Sequence, residues 1–311
     1  MINPNLKAAD RIFENLPAPL KELMREHLLT EEEHEKVLEV IKGRSYRNKK
    51  TSEHPKFIIV LGQTGSGKSH LSTSIVRNNP NLVVIDSDKY KGYREDSTDI
   101  QREHLVEYAY LTAPDAYWHR DQMIYDAMEN KYNILMECAT SEKEGMFVDI
   151  DKIMAMGYDI EIAALGVSEI NSLISVHERY EDQLRDGNIA AKLTSIARHD
   201  DSFTSLLRCV RDLDEDRITV SVYERGIGFP FEPRKIYMSN DGIRRFETAI
   251  DALSYAQLQD KRRTMGDFAT RYTTVNQSMI TRRAPTQQIE QLNDVFQRFQ
   301  NERMSDLYRS E

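Results

Sequence analysis

Short apolar runs alternate with helical patterns between residue 55 and about residue 240. Helical patterns of roughly 15–20 residues separate most of the runs, which is the spacing of successive βαβ units and predicts an α/β fold. Four runs are almost continuously apolar, as is typical of parallel strands that helices cover on both faces. The last run alternates more with polar residues, and we expect it at an edge of the sheet. The predicted strands are Phe57–Leu61, Leu82–Ile85, Asn133–Cys138, Ile160–Val167 and, at the edge, Ile218–Tyr223.

Both ends of the chain have helical patterns instead of such runs. Near the N-terminus, Thr30 followed by Glu33 has the spacing of a capping box, and the basic polar stretch 42–50 predicts a linker. Near the C-terminus, residues 243–263 predict one helix, and Pro285 begins another that carries an apolar stripe. The stripe consists of Ile289, Leu292, Phe296 and Phe299. We therefore predict a helical N-terminal extension (1–53), a parallel-sheet domain flanked by helices (54–240) and a helical C-terminal extension (241–311).

Composition narrows the class of protein. The chain has 311 residues, 40% of them apolar, which is enough for a sizeable core. It contains no apolar run near the roughly 20 residues of a membrane span, and no signal-peptide pattern at its N-terminus. Two cysteines, Cys138 and Cys209, make no disulfide framework, so we expect the cytoplasm. A net charge of −9 disfavours a nucleic-acid partner but does not exclude an anionic substrate.

The segment after the first predicted strand has the spacing of a phosphate-binding loop, G-x-x-x-x-G-K-[ST], between a strand and a helix. Its glycines let successive N–H groups point at a phosphate, and the helix dipole favours the same anion. In such loops the lysine, here Lys68, reaches the β- and γ-phosphates, and a hydroxyl, here Ser69, ligates Mg²⁺. We therefore predict ATP and Mg²⁺ as cofactors. The expected nucleotide contacts are Gly62, Gln63, Thr64, Gly65, Ser66, Gly67, Lys68, Ser69 and His70.

Polar residues follow the second and third predicted strands, at the sheet edge where α/β proteins bind ligands. After the second strand, one of Asp86 and Asp88 would orient Mg²⁺ or polar neighbours, and the other would take a proton from an acceptor hydroxyl. A helix cap explains Asp86 equally well, whereas function explains Asp88 better. Glu137 ends the third run, where a lone carboxylate is costly unless it is paired or faces a ligand. Thr140 is placed to cap the helix that follows.

Cationic residues lie beyond the fourth predicted strand, on a helix that ends near Glu181 and in the segment after it. A cation from a segment that closes over a nucleotide neutralises charge in the transition state. A solvated charged helix face is the commoner explanation for any one of them, and spacing alone does not choose among them. The candidates are Arg179, Arg185, Lys192 and Arg198.

Together these segments resemble the zeta toxin family, which are kinases of bacterial toxin–antitoxin systems, over about residues 55–240. The family favours a Gln after the first loop Gly, where Gln63 stands here. The segment Val84–Lys91 is similar to the family's I-D-N-D-x-F-K, and Met136-Glu137-Cys138 stands where the family has E-G-T. The most specific element runs from Gly157-Tyr158 through Ile170-Asn171-Ser172 to Glu178-Arg179-Tyr180-Glu181.

The resemblance implies a P-loop kinase fold and transfer of the ATP γ-phosphate to the 3′-hydroxyl of the amino sugar in UDP-N-acetylglucosamine. By position, Lys68 would cradle the phosphates, Asp88 would be the base, and Arg179 and Lys192 would neutralise the transferring phosphate. The implied acceptor contacts are Asp88, Lys91, Asp121, Glu137 and Thr140. Small family members are held inactive by a helical antitoxin, so we expect such a partner or restraint in cis by one of the helical extensions.

Some positions depart from the family pattern. Lys192 replaces an Arg, Asp121 replaces a Glu, and Ala139 stands where the family has a Thr. The phosphoryl-transfer residues are therefore retained better than the acceptor pocket, and kinase activity is better supported than a UDP-sugar acceptor. Two alternatives stay open at this point. One is a kinase of a dinucleotide, an antibiotic or a polynucleotide 5′ end, and the other is a nucleotide-hydrolysing switch.

Overall fold

The computed structural model of the protein describes residues 16–104, 107–138, 140, 149–188, 191, 193–226, 232–242 and 245–308. The strands are β1 Lys56–Leu61, β2 Leu82–Ile85, β3 Asn133–Cys138, β4 Asp159–Gly166, β5 Thr219–Glu224 and β6 Arg234–Met238. The helices are α1 Ala18–Glu26, α2 Glu31–Ser45, α3 Lys68–Asn78, α4 Ser87–Tyr90, α5 Ser97–Glu103, α6 Tyr108–Leu111, α7 Ala113–Glu129, α8 Ile150–Ala155, α9 Glu169–Arg185, α10 Ile196–Arg211, α11 Ala249–Thr281 and α12 Thr286–Tyr308, with a 3₁₀ turn at Lys91–Tyr93. Within these described ranges, none of the helices combines the length and the apolar composition that crossing a bilayer requires.

The described strands form one mixed sheet in the order β2-β3-β1-β4-β5-β6. Strand β2 pairs in parallel with β3, and β4 in parallel with β5. Strand β6 runs antiparallel to β5, with Val222 opposite Tyr237. The predicted α/β fold, a mostly parallel sheet flanked by helices, is therefore confirmed.

The prediction that Ile218–Tyr223 forms an edge strand is wrong, because β6 pairs with the far side of β5. Strand β6 has the sequence Arg-Lys-Ile-Tyr-Met, in which only Tyr237 is buried. A short strand with exposed charged residues is a common form of sheet edge, and it carries no apolar run to predict it. The alternating polar residues of β5 have partners instead: Ser221, for example, donates to Glu161 on β4 at 3.0 Å.

The described residues divide into two compact units, the first made of Met1–Phe57, Pro80–Met136 and Met156–Tyr158, each over its described part. In this unit the capping box of α2 is confirmed, since Thr30 and Glu33 exchange side-chain bonds with each other's N–H groups. Helix α2 continues to Ser45, so the linker prediction is wrong for its first four residues. Two contacts stabilise the helix at and beyond residue 41. The side chain of Ile41 is fully buried, and Lys42 pairs with Asp126 of α7 at 2.6 Å.

The second unit contains Ile58–Asn79, Glu137–Ala155 and Asp159–Glu311, again over the described part. The helix predicted at 243–263 instead runs from Ala249 to Thr281. It begins at 249 because the Thr248 side chain caps it, and it continues because its apolar face stays buried beyond residue 263.

The predicted C-terminal stripe is confirmed: Leu292 and Phe299 are buried, and Phe296 packs against the same cluster. That cluster joins α9 (Ile170, Leu173, Ile174), α11 (Phe268, Val275, Met279) and α12 (Leu292, Val295, Phe299).

Candidate functional site

The phosphate-binding sequence forms the turn between β1 and α3, in the second unit, as the strand–loop–helix pattern predicts. Gly65 has a φ of +80° and Gly67 a φ of +94°, a region that favours glycine. Gly67 is the N-cap residue of α3, so the first N–H groups of that helix belong to Lys68 and Ser69, the last two residues of the loop sequence. The loop therefore has the backbone geometry and the helix N-terminus that an anionic phosphate requires.

The Lys68 side chain folds back onto this loop. Its ammonium donates to the carbonyl oxygens of Gly62 at 2.7 Å and Gln63 at 3.1 Å. Burial lowers the pKa of Lys68 to about 8, although Glu137 acts in the opposite direction, and the positive charge of Arg179 lowers it further. A neighbouring anion stabilises the charged form of an ammonium that water solvates poorly, so the Lys68 site favours binding of a polyphosphate.

Ser69 and Glu137 meet beside the lysine, where α3 begins and β3 ends. The Ser69 hydroxyl donates to the Glu137 carboxylate at 3.1 Å, and both residues are exposed to solvent. A hydroxyl and a carboxylate are hard oxygen donors that suit Mg²⁺, which usually keeps several waters and binds one or two protein groups together with phosphate oxygens. Among the described residues there is no cluster of three or more His, Cys, Asp or Glu side chains suited to a metal. The Ser69 hydroxyl and the Glu137 carboxylate are donors that fit a metal ion arriving with a nucleotide.

Helix α9 supports the loop from one side. The Gln63 side-chain amide donates to the carbonyl of Val167 at 2.8 Å and to the hydroxyl of Ser172 at 3.1 Å. The backbone approach is so close that a Cβ on Gly65 would lie 2.2 Å from the carbonyl oxygen of Ser172. The loop therefore packs directly on the first turns of α9, and its shape depends on that helix.

Helix α10 supports the loop from a second direction. The Thr64 N–H donates to the Ser202 hydroxyl at 3.2 Å, and the Thr140 hydroxyl donates to the carbonyl of Ser202 at 3.1 Å. In the structure Thr140 thus bonds to α10. The residues after it, 141–148, lie outside the described residues, so the helix cap that we expected of Thr140 stays a prediction.

The cationic candidates differ in what the structure says of them. Arg179 lies on the exposed face of α9, which ends at Arg185 and not near residue 181. Arg198 pairs with Asp201 at 2.7 Å on α10, and Arg185 pairs with Asp182. Lys192 lies outside the described residues. Arg179 and Arg198 both contribute to the electrostatic field at Lys68, which places positive charge near the phosphate-binding loop.

The remaining predicted site residues lie in the first unit. Asp86 is the N-cap of α4, where its carboxylate accepts the N–H groups of Asp88 and Lys89, so the cap explanation applies to it. The Asp88 carboxylate pairs with Lys91 at 2.6 Å and is 84% exposed. Asp121 pairs with its neighbour Arg120 at 2.7 Å. Within this unit the structure therefore brings together Asp88 and Lys91, two residues that we expect to contact an acceptor.

Ser172 and Ser202 bond to the loop, and His199 contacts Ser172, but the sequence predicts no role for any of the three. Ser172 belongs to a segment that resembles the family, which was the one available signal for it. Its hydroxyl also lies 2.8 Å from Nε2 of His199 on α10. These contacts join residues that are 27 to 138 positions apart, which local patterns cannot predict.

A family model described as Zeta toxin matches residues 42–229. Toxin zeta of Enterococcus hirae is 25% identical over 155 residues, which are 50% of this chain and 54% of that protein. Toxin PezT of Streptococcus pneumoniae serotype 4 is 25% identical over 187 residues, 58% of this chain and 72% of that protein. The match thus spans about half the length of the Enterococcus relative.

A solved structure agrees with the fold. It comes from a study of the PezAT chromosomal toxin–antitoxin system of Streptococcus pneumoniae and superimposes with a TM-score of 0.64 at 20% identity. The superposition covers 80% of this chain and 98% of that chain, which confirms the P-loop kinase fold.

Proposed function

This chain belongs to the zeta toxin family, and we propose that it is an ATP-dependent kinase that transfers the γ-phosphate to a hydroxyl group of a UDP-sugar such as UDP-N-acetylglucosamine. Members of the family are phosphotransferases. The observation that carries the proposal is the partly buried ammonium of Lys68 on the phosphate-binding loop, with the Ser69 hydroxyl and the Glu137 carboxylate in contact beside it.

On the nucleotide side, Lys68 would exchange its two carbonyl partners for β- and γ-phosphate oxygens, which compensate its charge better than carbonyls do. The N–H groups of the loop and of the first turn of α3 would bind the remaining phosphate oxygens. Mg²⁺, when bound, supplies positive charge that neutralises the phosphates, and Ser69 and Glu137 would hold it. Glu137 thereby gains a metal-binding role beside the acceptor-binding role that the sequence predicts.

On the acceptor side, Asp88 would take the proton from the attacking hydroxyl, which requires a carboxylate with access to solvent and substrate. Its ion pair with Lys91 orients the carboxylate until an acceptor arrives. Arg179 would neutralise the charge that spreads over the transferring phosphoryl group, as guanidinium groups do in other kinases and GTPases. The equivalent role of Lys192 stays a prediction.

The proposal is tested by incubating the purified chain with Mg²⁺ and γ-labelled ATP in the presence and absence of UDP-N-acetylglucosamine. We expect label on the sugar nucleotide, and none with Lys68→Ala. Parallel reactions contain a dinucleotide, an antibiotic with free hydroxyls, or an oligonucleotide with a 5′-hydroxyl. Label on one of these alone keeps the kinase and excludes the UDP-sugar. Release of inorganic phosphate that no acceptor changes supports a nucleotide-hydrolysing switch.

We also propose a protein antitoxin as a partner, because the related solved structure belongs to a toxin–antitoxin system. A kinase that consumes a precursor of the cell wall would harm its own cell, so its activity must be held off until it is needed. The test is co-expression of this chain with the neighbouring open reading frames of its own genome. Rescue of growth by one of them, together with co-purification of its product, supports the partner. Toxicity that none of them relieves contradicts it.

A further inference from the structure

Arg179 lies on α9 among four residues that are all held by α11 and α12, which we call the C-terminal helix pair. His177, Glu178, Tyr180 and Glu181 each contact this pair through a side-chain nitrogen or oxygen. At 100° per residue, these four cover an arc of about 160° on the helix surface, and Arg179 points away from the middle of that arc. The C-terminal helix pair therefore contacts one side of this segment of α9, and Arg179 is exposed on the opposite side.

The strongest of these contacts is the one at Glu181. This carboxylate is only 5% exposed, and Arg282 binds it in a two-pronged fashion, with Nη2–Oε1 at 2.6 Å and Nε–Oε2 at 2.9 Å. Ser278 donates a further bond at 2.7 Å. Burial would raise the pKa of Glu181, but these bonds lower it below its ordinary value, so the carboxylate is charged. Planar bidentate pairs of this kind fix orientation as well as distance.

A second arginine holds α9 one turn earlier. Arg271 forms two bonds to the Glu178 carboxylate, with Nε–Oε1 at 2.7 Å and Nη2–Oε2 at 2.6 Å. The same guanidinium donates to the side chains of Asn171 at 2.7 Å and Ser175 at 2.9 Å. Three successive turns of α9 are thus bound to one side chain of the C-terminal helix pair.

The apolar contacts and the polar contacts contribute differently. Ile170, Leu173 and Ile174 bury the first half of α9 against the pair, and this area supplies most of the association energy. Apolar packing is not directional, and it lies N-terminal to Arg179. The two-pronged bonds of Arg271 and Arg282 are therefore the strongest polar contacts that fix the rotation and register of the second half of α9, beside single bonds from Ser278, Gln288 and Gln291.

We propose that Arg271 and Arg282 are positioning residues for phosphoryl transfer: they fix the second half of α9 so that the Arg179 guanidinium is presented to the nucleotide phosphates. The inference rests on the proposed function, in which Arg179 neutralises the transferring phosphoryl group. It gives the C-terminal helix pair a supporting role. Restraint in cis, the alternative that the sequence left open, predicts the opposite change in activity when the bonds are removed.

The test is a double-mutant cycle in the full chain. Arg282→Met and Arg271→Met are each made in the wild type and in an Arg179→Ala background. We expect each to lower kcat about tenfold to a hundredfold in the wild type, because small displacements of a catalytic group cost this much, with KM for ATP changed less than about threefold. In the Arg179→Ala background we expect no further loss, because the group that they position is gone. Arg282→Lys keeps the positive charge but lacks the planar guanidinium, so its kcat should fall between that of the wild type and that of Arg282→Met.

The matched control is Lys261→Met. Lys261 joins α11 to α12 through Glu302 at 3.1 Å, and its side chain is 24% exposed, against 25% for Arg282. We expect it to leave kcat unchanged, and melting curves report whether each variant folds. If Arg282→Met does not fold, Arg271→Met carries the test, because its partner Glu178 is partly exposed and tolerates the loss better.

Four results would overturn the inference. Equal losses of kcat in both backgrounds would show a general structural effect, and a rise in kcat would show restraint in cis. Full activity of Arg179→Ala would instead refute the role proposed for Arg179, and no phosphate transfer by the wild type would refute the proposed function itself; either result removes the inference with it. The two kinds of failure are distinguishable because the second is visible without either Arg271 or Arg282 variant.

Discussion

The hydroxyl oxygen of Ser172 lies 2.8 Å from Nε2 of His199, and neither side chain is accessible to solvent. The other ring nitrogen of His199 faces the Asp200 carboxylate at 3.3 Å. Burial lowers the pKa of His199, so the ring is neutral, and because the carboxylate only accepts, Nδ1 carries the proton. Ser172, His199 and Asp200 stand in the order of a hydrolase triad, but a substrate cannot reach this serine. Ser172 instead connects Gln63 of the phosphate-binding loop to His199 of α10.

We expect Ser172→Ala to lower the free energy of unfolding by about 1–3 kcal/mol, because buried polar groups of Gln63 and His199 lose a partner. Urea unfolding measures this change. Ser254→Ala is the control, since Ser254 is exposed and its loss should change stability by less than about 0.5 kcal/mol. A fluorophosphonate probe should not label Ser172, and labelling would contradict the structural role.

Much of the fold follows from local patterns. The strands that bear the site are nearly continuous apolar runs, and the loop sequence requires a turn between a strand and a helix, so β1 to α3 could be predicted. Strand β6 could not, because its exposed Arg234 and Lys235 give no apolar signal. Two sets of contacts could not be predicted either: the bonds of Ser172 and Ser202 to the loop, and those of Arg271 and Arg282 to α9. Several of them join residues a hundred or more positions apart, and a local sequence pattern carries no information about such pairs.

Gly65→Ala should damage the loop more than a glycine substitution normally does. The new Cβ would lie 2.2 Å from the Ser172 carbonyl oxygen, and the backbone has a φ of +80°. We expect a loss of about 1–3 kcal/mol in unfolding free energy and a loss of ATP binding. Gly266→Ala is the control. It has open space around it inside α11, and we expect it to raise stability by about 0.5–1 kcal/mol. Normal ATP binding by Gly65→Ala would show that the loop adapts without α9.

ATP affinity should depend on pH through Lys68. Burial lowers its pKa in the free protein to about 8, and bound phosphates favour the ammonium, so the pKa rises on binding. The affinity is therefore fully present below pH 8 and falls above it, by up to about tenfold per pH unit. Calorimetric titrations at pH 7.5, 8.5 and 9.5 measure this dependence. Lys68→Arg should flatten it, because a guanidinium stays charged over this range. Equal wild-type affinity at all three values would contradict the assignment.

Asp88→Asn should lower kcat by about 10²–10⁴, the usual contribution of a positioned base, while KM for ATP changes little. Steady-state kinetics with the acceptor identified in the labelling experiment measure both. Asp99→Asn is the control. Asp99 lies on α5 in the same unit and, like Asp88, pairs with a basic residue three positions further along the chain, here Arg102. If Asp88→Asn lost ATP binding and kept its kcat, Asp88 would be a residue of the nucleotide site and not the base.

Acid should destabilise the protein through buried histidines, most clearly through His177. Burial lowers the pKa of His177 to about 4, and its Nδ1 has no hydrogen-bond partner among the described residues. An unfolded histidine titrates near 6.5, so the unfolded chain binds the proton first. The contribution is fully present above pH 6.5 and is lost as the pH falls toward 4, by up to about 3 kcal/mol. Burial lowers the pKa of His119 to about 4 as well, with the same sign.

The test is urea unfolding between pH 7.5 and 4.5 for the wild type and His177→Leu. Leucine is similar in size and binds no proton, so we expect stability at pH 7.5 to change by less than about 1.5 kcal/mol and the slope below pH 6.5 to become shallower. His54→Gln is the control, because His54 is exposed and should leave the slope as it is. A slope that is the same for the wild type and His177→Leu would contradict the prediction, because the unfolded chain would then bind no more protons at His177 than the folded chain does.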